Sequence, residues 1–362
     1  MKAEQISDAL NWLDDSIIDE ANRVRKKQHL SDKQAKWKII AAACACMGIM
    51  YILYTVRLDG VTSQKLPMLE LSTSSDAMGF EARNDISEMD NGNPWNEDME
   101  LEKLPVYHNN AYHPAGVPLG LGEASIKEIA ETTAKALHMT IIAINDTVSE
   151  EWMTDVEPGT VLSTTATAVN KENTLEAEIL AEADGHVRII FTGEMLLTQA
   201  YLQDEKNLTE ILGYSKPEKI ERENELNFYD SSGDEISDIL NYNFNHTTFI
   251  MNDEGDSIKM IHKCEELSCA EKIGDYPIIT AEKAKRLLLK GKYLEFPYEL
   301  SEEEYIAGVE LVYRTGRLEK TFMPYYRFWV ELPELQQDNG LKCYGAYYVP
   351  AVEEKYISNP IW

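Results

Sequence analysis

Basic residues are scarce in this chain, and recognisable catalytic motifs are missing. Against 63 Asp and Glu it sets 34 Lys and Arg, a formal charge of −29 over 362 residues. Without a basic face to neutralise phosphates, the composition argues against nucleic acid as a partner. The acidity fits a well-solvated, self-repelling surface. There is no H-E-x-x-H, no G-x-S-x-G, no P-loop and no G-x-G-x-x-G opening a helix after a strand. Pro118-Leu119-Gly120-Leu121-Gly122 holds two glycines of the last pattern but not the third, and reads as a loop. Cysteine is sparse too. Of five, Cys44 and Cys46 lie in an apolar run, and Cys264, Cys269 and Cys343 lie far downstream. An odd number there cannot make a complete disulfide framework. One bridge (Cys264–Cys269, or a pairing to Cys343) and unpaired buried thiols both stay open.

The remaining candidates for chemistry are weak. His108 and His113 in YHNNAYH lack a third ligand at useful spacing. Cys264-x-x-x-x-Cys269 has a spacing that zinc tolerates, but no second ligand pair follows. Asp230, Ser232, Asp234 and Glu235 resemble half of a calcium loop without its closing glutamate, and read as a turn. With so many carboxylates, choosing two for acid–base work has no basis in spacing. The expectation is no catalytic residue, no metal, no cofactor and no enzyme. The aromatic group Tyr325, Tyr326, Phe328, Trp329, Tyr344, Tyr347 and Tyr348 alternates between two sheet faces. One face is core; the other is either plain packing or a binding platform.

What the sequence does hold is one long apolar run. Ile39–Val56 is eighteen residues without a charge, about 27 Å of helix, close to the thickness of a bilayer core. Seven Lys and Arg between Arg23 and Lys38 precede it, whereas only Arg57 and Lys65 follow closely. Basic flanks stay in the cytosol, so the N-terminus is expected inside and the large acidic part outside. The 38 residues before the run are long for a cleaved signal peptide. A lipoprotein signal at Cys44 would have too short an apolar stretch. The basic flank and the polar region 57–118 disfavour a buried core helix.

Residues 1–38 form a nearly neutral cytosolic segment, with eight basic and seven acidic side chains. Ile6, Leu10 and Leu13 share one helical face. Asp14-Asp15-Ser16 offers caps for a second helix, whose stripe includes Ile17 and Ile18. Two short helices cannot bury these stripes alone, so they want a partner. ISDALNWLDDSIIDEANRVRKK, with the basic stretch and WKIIAAACAC after it, resembles the N-terminus of clostridial membrane-anchored anti-sigma-factor-like proteins. That resemblance implies a cytosolic sigma factor or membrane signalling protein as partner.

Beyond a linker and irregular region at 57–118, one helix followed by strands recurs three times, giving units at 119–200, 201–270 and 271–362. The first helix is expected to start at Ser125, with Glu128 completing a capping box. Met139–Ile144 reads as a buried strand, and a hairpin turns at Asp184-Gly185. The second helix is expected at Leu202–Leu212, followed by strands at Glu225–Tyr229, Ile239–Met251 and Ser257–Lys263. The third is capped by Thr280 and ended by Gly291, with strands at Ile306–Arg314, Tyr325–Leu332 and Lys342–Pro350. The class is α+β, helices packed on antiparallel sheets, preceded by a single transmembrane helix. The last unit enters its helix through Ile279-Thr280-Ala281 and carries the strand Pro324-Tyr325-Tyr326-Arg327-Phe328. It is similar to extracytoplasmic YycH/YycI-type regulators and, more remotely, to PepSY-type domains. The resemblance implies a noncatalytic module that binds partners. The expected function is a membrane-anchored regulator or sensor, anti-sigma-factor-like. The alternative is an envelope hydrolase or a passive surface or assembly protein.

Overall fold

The structure is a computed structural model. It describes residues 66–72, 81–84, 92–153, 155–171, 175–193, 213–222, 225–252, 258–294, 296–300, 302–336 and 340–359. All belong to one compact unit, Leu66–Trp362. The cytosolic segment, the apolar run Ile39–Val56 and the helix expected at Leu202–Leu212 lie outside the described residues. No helix among the described residues is long and apolar enough to cross a membrane.

The unit is α+β and dominated by antiparallel sheet. In chain order the elements are β1 (Ala82–Arg83), β2 (Lys103–Asn109), α1 (Glu123–Ala136), β3 (Thr140–Val148), β4 (Val161–Val169), β5 (Leu175–Glu182) and β6 (Val187–Gly193). Then follow β7 (Pro217–Arg222), β8 (Glu225–Asp230), α2 (Glu235–Phe244), β9 (His246–Met251), β10 (Ile258–Lys263), β11 (Ala270–Pro277) and α3 (Ala281–Leu288). The chain closes with β12 (Ile306–Tyr313), β13 (Thr321–Phe322), β14 (Pro324–Glu331) and β15 (Tyr344–Pro350). Eight strands form one sheet in the order β3-β4-β5-β6-β10-β9-β8-β7, four form a second as β1-β15-β14-β12, and three a third as β11-β2-β13.

Several expected elements are present. The β5–β6 hairpin turns at Asp184-Gly185, where Gly185 has φ 89°. A Cβ there would sit 2.7 Å from the Glu265 carbonyl oxygen, so the turn needs glycine both for its backbone and for its space. In α3 the Thr280 hydroxyl accepts the Lys283 N–H at 3.3 Å, and Ala284 and Leu288 face inward. The chain leaves that helix through Gly291 at φ 75°.

Other elements depart from expectation. α1 begins at Glu123 with Gly122 as N-cap, so Ser125 lies inside the helix and no capping box forms. Ile239–Met251 is not one strand. Residues up to Phe244 are α2, capped by Asp234, whose carboxylate accepts the Ser237 N–H at 2.8 Å. The alternation in Asn241-Tyr242-Asn243-Phe244-Asn245 imitates a strand, but the cap and the row Ile236, Leu240 and Phe244, four apart and packed in one core, set a helical period. β3 is largely exposed rather than buried, because it is the outer strand of the eight-stranded sheet and pairs only with β4. Residues 103–109, expected as irregular chain, form β2 between β11 and β13, with Leu104 and Val106 fully buried. The line drawn at 200/201 falls within the large sheet, where β6 pairs with β10.

The core has three parts. α1 sets Ile126, Ala130 and Ala134 against Ala166, Ala168, Ala177 and Ile179 of β4 and β5. Alanines on both surfaces let the helix approach closely. The four-stranded sheet is covered on both faces. Tyr326, Phe328 and Tyr347 enter a core with α2 and α3, whereas Tyr325, Trp329 and Tyr348 enter one with Leu69, Val106 and Tyr276. The aromatic group is therefore packing on both sides, and the platform reading of its second face falls away.

Candidate functional site

The register of the large sheet builds a cluster that sequence spacing conceals. On β10, His262 lies opposite Arg188 of β6 and Thr248 of β9, and Lys263 lies opposite Val187 and Thr247. One position further, Cys264 falls between His186 and His246. Its N–H donates to the His246 carbonyl oxygen at 2.9 Å. Residues two apart share a sheet face, so His262 and Cys264 point together. Val187, Ile189 and Ile261 occupy the other face, in the core beneath α1.

The side chains meet closely. His186 Nδ1 is 3.1 Å from His262 Nε2 and 3.7 Å from Cys264 Sγ. The two rings stack with centroids 5.3 Å apart. His186 Nε2 meets Glu266 Oε1 at 2.9 Å. The other Glu266 oxygen accepts the Gly316 N–H at 3.1 Å, so the carboxylate is itself fixed. On the same turn, Asp184 takes the His186 N–H at 3.3 Å and pairs with Arg317 at 2.7 Å. Arg317 also reaches Glu182 at 3.2 Å, tying the hairpin tip to the segment between β12 and β13.

These contacts set the charges. Burial favours the neutral form of Cys264, but the imidazoles of His186 and His246 outweigh it and bring the thiol down to about 7. Burial likewise opposes charge on His186, yet Cys264 and Glu266 beside it push the pKa up to about 11. His262 is buried beside charged His186 and His246, and its pKa falls to about 4. His246 is raised, its burial outweighed by the neighbouring thiol. Burial raises Asp184 despite His186 and Arg317 nearby. Near neutral pH the cluster holds a sulfur poised to ionise, a protonated His186 and a neutral His262, with His246 shifted toward its charged form. Cys264 is only 5 % exposed. A nucleophile must reach its substrate; a sulfur this covered is better placed to hold a small ion or a proton.

The residues singled out in the sequence are scattered. Ile6, Leu10, Leu13, Ile17 and Ile18 lie outside the described residues. His108 is exposed on β2 opposite Glu271 and Thr321. His113 is buried and accepts the Ala115 N–H at 3.2 Å. The Asp230 carboxylate accepts the N–H groups of Ser215, Lys216 and Ser232. Cys264, Cys269 and Cys343 are free and buried, so neither disulfide forms. Cys264 turns toward the histidines, while Cys269 Sγ packs at 3.5 Å on the Ala183 carbonyl oxygen. The four-residue spacing drew attention to the wrong partner of Cys264. The alternation His262, Cys264, Glu266 was the usable signal, together with His186 just past a hairpin turn.

A concavity of about 210 Å³ is lined by Arg83, Tyr229, Tyr242, His246, Arg327 and Tyr348, among others. Its Arg327 is already met by Glu310 at 2.8 Å and Glu81 at 3.3 Å. Comparison with known proteins finds no family model that matches the chain and no curated relative.

Proposed function

We propose that the chain is a noncatalytic, membrane-anchored regulator. Ile39–Val56 crosses the membrane once, the N-terminus stays in the cytosol, and the sheet-rich unit from Leu66 onward lies outside and binds a ligand. The observation that carries the reading is the eighteen-residue uncharged run with its basic N-terminal flank. The covered thiol–imidazole cluster supports binding over turnover, because its sulfur is ionisable yet withdrawn from any substrate-sized approach. On the cytosolic side, the stripe of Ile6, Leu10, Leu13, Ile17 and Ile18 is the surface proposed to hold a sigma factor or a membrane signalling protein.

The full chain, tagged and crosslinked in its own membranes, tests the pairing. A sigma factor should co-purify with the native chain and be lost from the double variant Leu10→Asp, Leu13→Asp at equal membrane abundance. Deleting the gene should change the transcription of that sigma factor's targets. Recovery of no cytosolic regulator, with transcription unchanged on deletion, would favour a passive surface protein instead.

A further inference from the structure

We propose that His186, His262 and Cys264 bind a borderline-soft transition metal ion, with zinc as the natural occupant. This goes beyond the regulatory reading and stands independently of where the chain sits relative to the membrane. Each of the three residues offers one donor atom, and these atoms all lie within 4.8 Å of one another. Tetrahedral zinc with bonds of about 2.0–2.1 Å to nitrogen and about 2.3 Å to sulfur sets N···N near ~3.3 Å and N···S near ~3.6 Å. The observed separations are 3.1 Å and 3.7 Å. Two of the three edges already match, and the remaining pair of donors lies within 4.8 Å.

The surroundings are those of a ligand set rather than of a chance cluster. Glu266 holds His186 by Nε2, which leaves Nδ1 aimed at the site. A carboxylate behind a ligating histidine fixes its tautomer and orientation. Glu266 is in turn held by the Gly316 N–H, and the His186 backbone by Asp184. Two imidazoles and one thiolate suit zinc or copper and do not suit calcium or magnesium, which prefer oxygen donors. His246 also lies against the sulfur but outside the ligand set. The His186 side chain is 16 % exposed, which gives an ion a way in. Three protein donors leave a fourth position for water or for a donor from a bound ligand.

The full chain, purified in detergent, reduced and stripped with chelator, is titrated with Co²⁺ and then Zn²⁺. Cobalt should give a thiolate-to-metal charge-transfer band and visible bands of tetrahedral intensity, which zinc then bleaches. Cys264→Ser should remove the charge-transfer band, and His262→Asn should weaken zinc, read by chelator competition, at least tenfold. Glu266→Gln should weaken zinc by about 10- to 100-fold while keeping the band. The His262 variant carries the test if the Cys264 variant fails to fold, as judged by circular dichroism. No thiolate band in the native chain, a band that survives in a folded Cys264→Ser, or an unchanged zinc affinity in His262→Asn overturns the proposal. Because the readout is metal in detergent solution, it can fail while the membrane and sigma-factor reading stands, and the reverse.

Discussion

Glu310→Leu should destabilise the sheet-rich unit by about 3–5 kcal/mol, the usual cost of stranding one half of a buried ion pair. Glu310 is 7 % exposed, and its Oε2 accepts both Arg327 Nε at 2.8 Å and Trp329 Nε1 at 2.7 Å. Arg327 lies on β14 with Trp329 and rests 4.9 Å from the centre of that ring. With the carboxylate gone, a covered guanidinium keeps Glu81, at 3.3 Å, as its acidic partner, and the indole N–H loses its acceptor. The double variant Glu310→Leu, Arg327→Met should recover part of the loss, because it removes the stranded guanidinium while Glu81 keeps Arg83 and the Tyr348 hydroxyl. Urea unfolding followed by tryptophan fluorescence reads both. Glu81 supplies an acid arm. Burial opposes its charge, but Arg327, the Tyr348 hydroxyl and Arg83 outweigh that and hold its pKa below the ordinary value. A depressed carboxylate stabilises the fold above its unfolded pKa, and that contribution is lost as pH falls through the folded one. The gap between native protein and Glu81→Gln should therefore be full near neutrality and close in acid, at pH values below about 4.

Phe244→Ala should cost about 3–5 kcal/mol by the same measurement. Phe244 ends α2, is fully buried, and packs against Tyr313 at 5.0 Å, Phe322 at 5.1 Å and Tyr107 at 6.4 Å between ring centres. Those rings belong to β12, β13 and β2, so one side chain joins the helix to two sheets. Beside it, Asn243 Oδ1 accepts the Tyr313 N–H at 2.9 Å, and the Tyr313 hydroxyl donates to the Pro105 carbonyl oxygen at 2.8 Å. Removing the ring leaves a cavity whose walls are pinned by those bonds and cannot collapse. Phe244→Leu keeps most of the volume and should cost about 1–2 kcal/mol. Equal costs for the two would mean that the ring's packing is not what anchors α2.

Local signals carried the elements that obey them. Thr280, Ala284, Leu288 and Gly291 spell one amphipathic helix from cap to exit, and α3 follows them. The alternation about Asp184-Gly185 is a hairpin in both readings. α2 was hidden because asparagines alternate with aromatics over 241–245, so strand and helix periods compete and only the Asp234 cap decides. β4, rich in threonine and alanine, carries too little apolar contrast to announce itself. The thiol–imidazole cluster was hidden for a different reason. Its side chains come from the entry to β6 and the end of β10, with His246 at the start of β9 beside them, and only strand register brings them together. Pairing between distant strands is not written in any local window. The two-sided burial of β14 and β15 likewise depends on what covers each face, and one strand's pattern does not reveal that.

The whole reading requires Ile39–Val56 to lie in lipid with the sheet-rich unit outside. Alkaline phosphatase, which folds only outside the cytosol, can be fused after Trp362 of the intact chain. The account predicts an active enzyme in the membrane fraction, and loss of that activity when residues 39–56 are deleted. An inactive fusion, with a cytoplasmic reporter bright at the same position or the intact chain found in the soluble fraction, would contradict it.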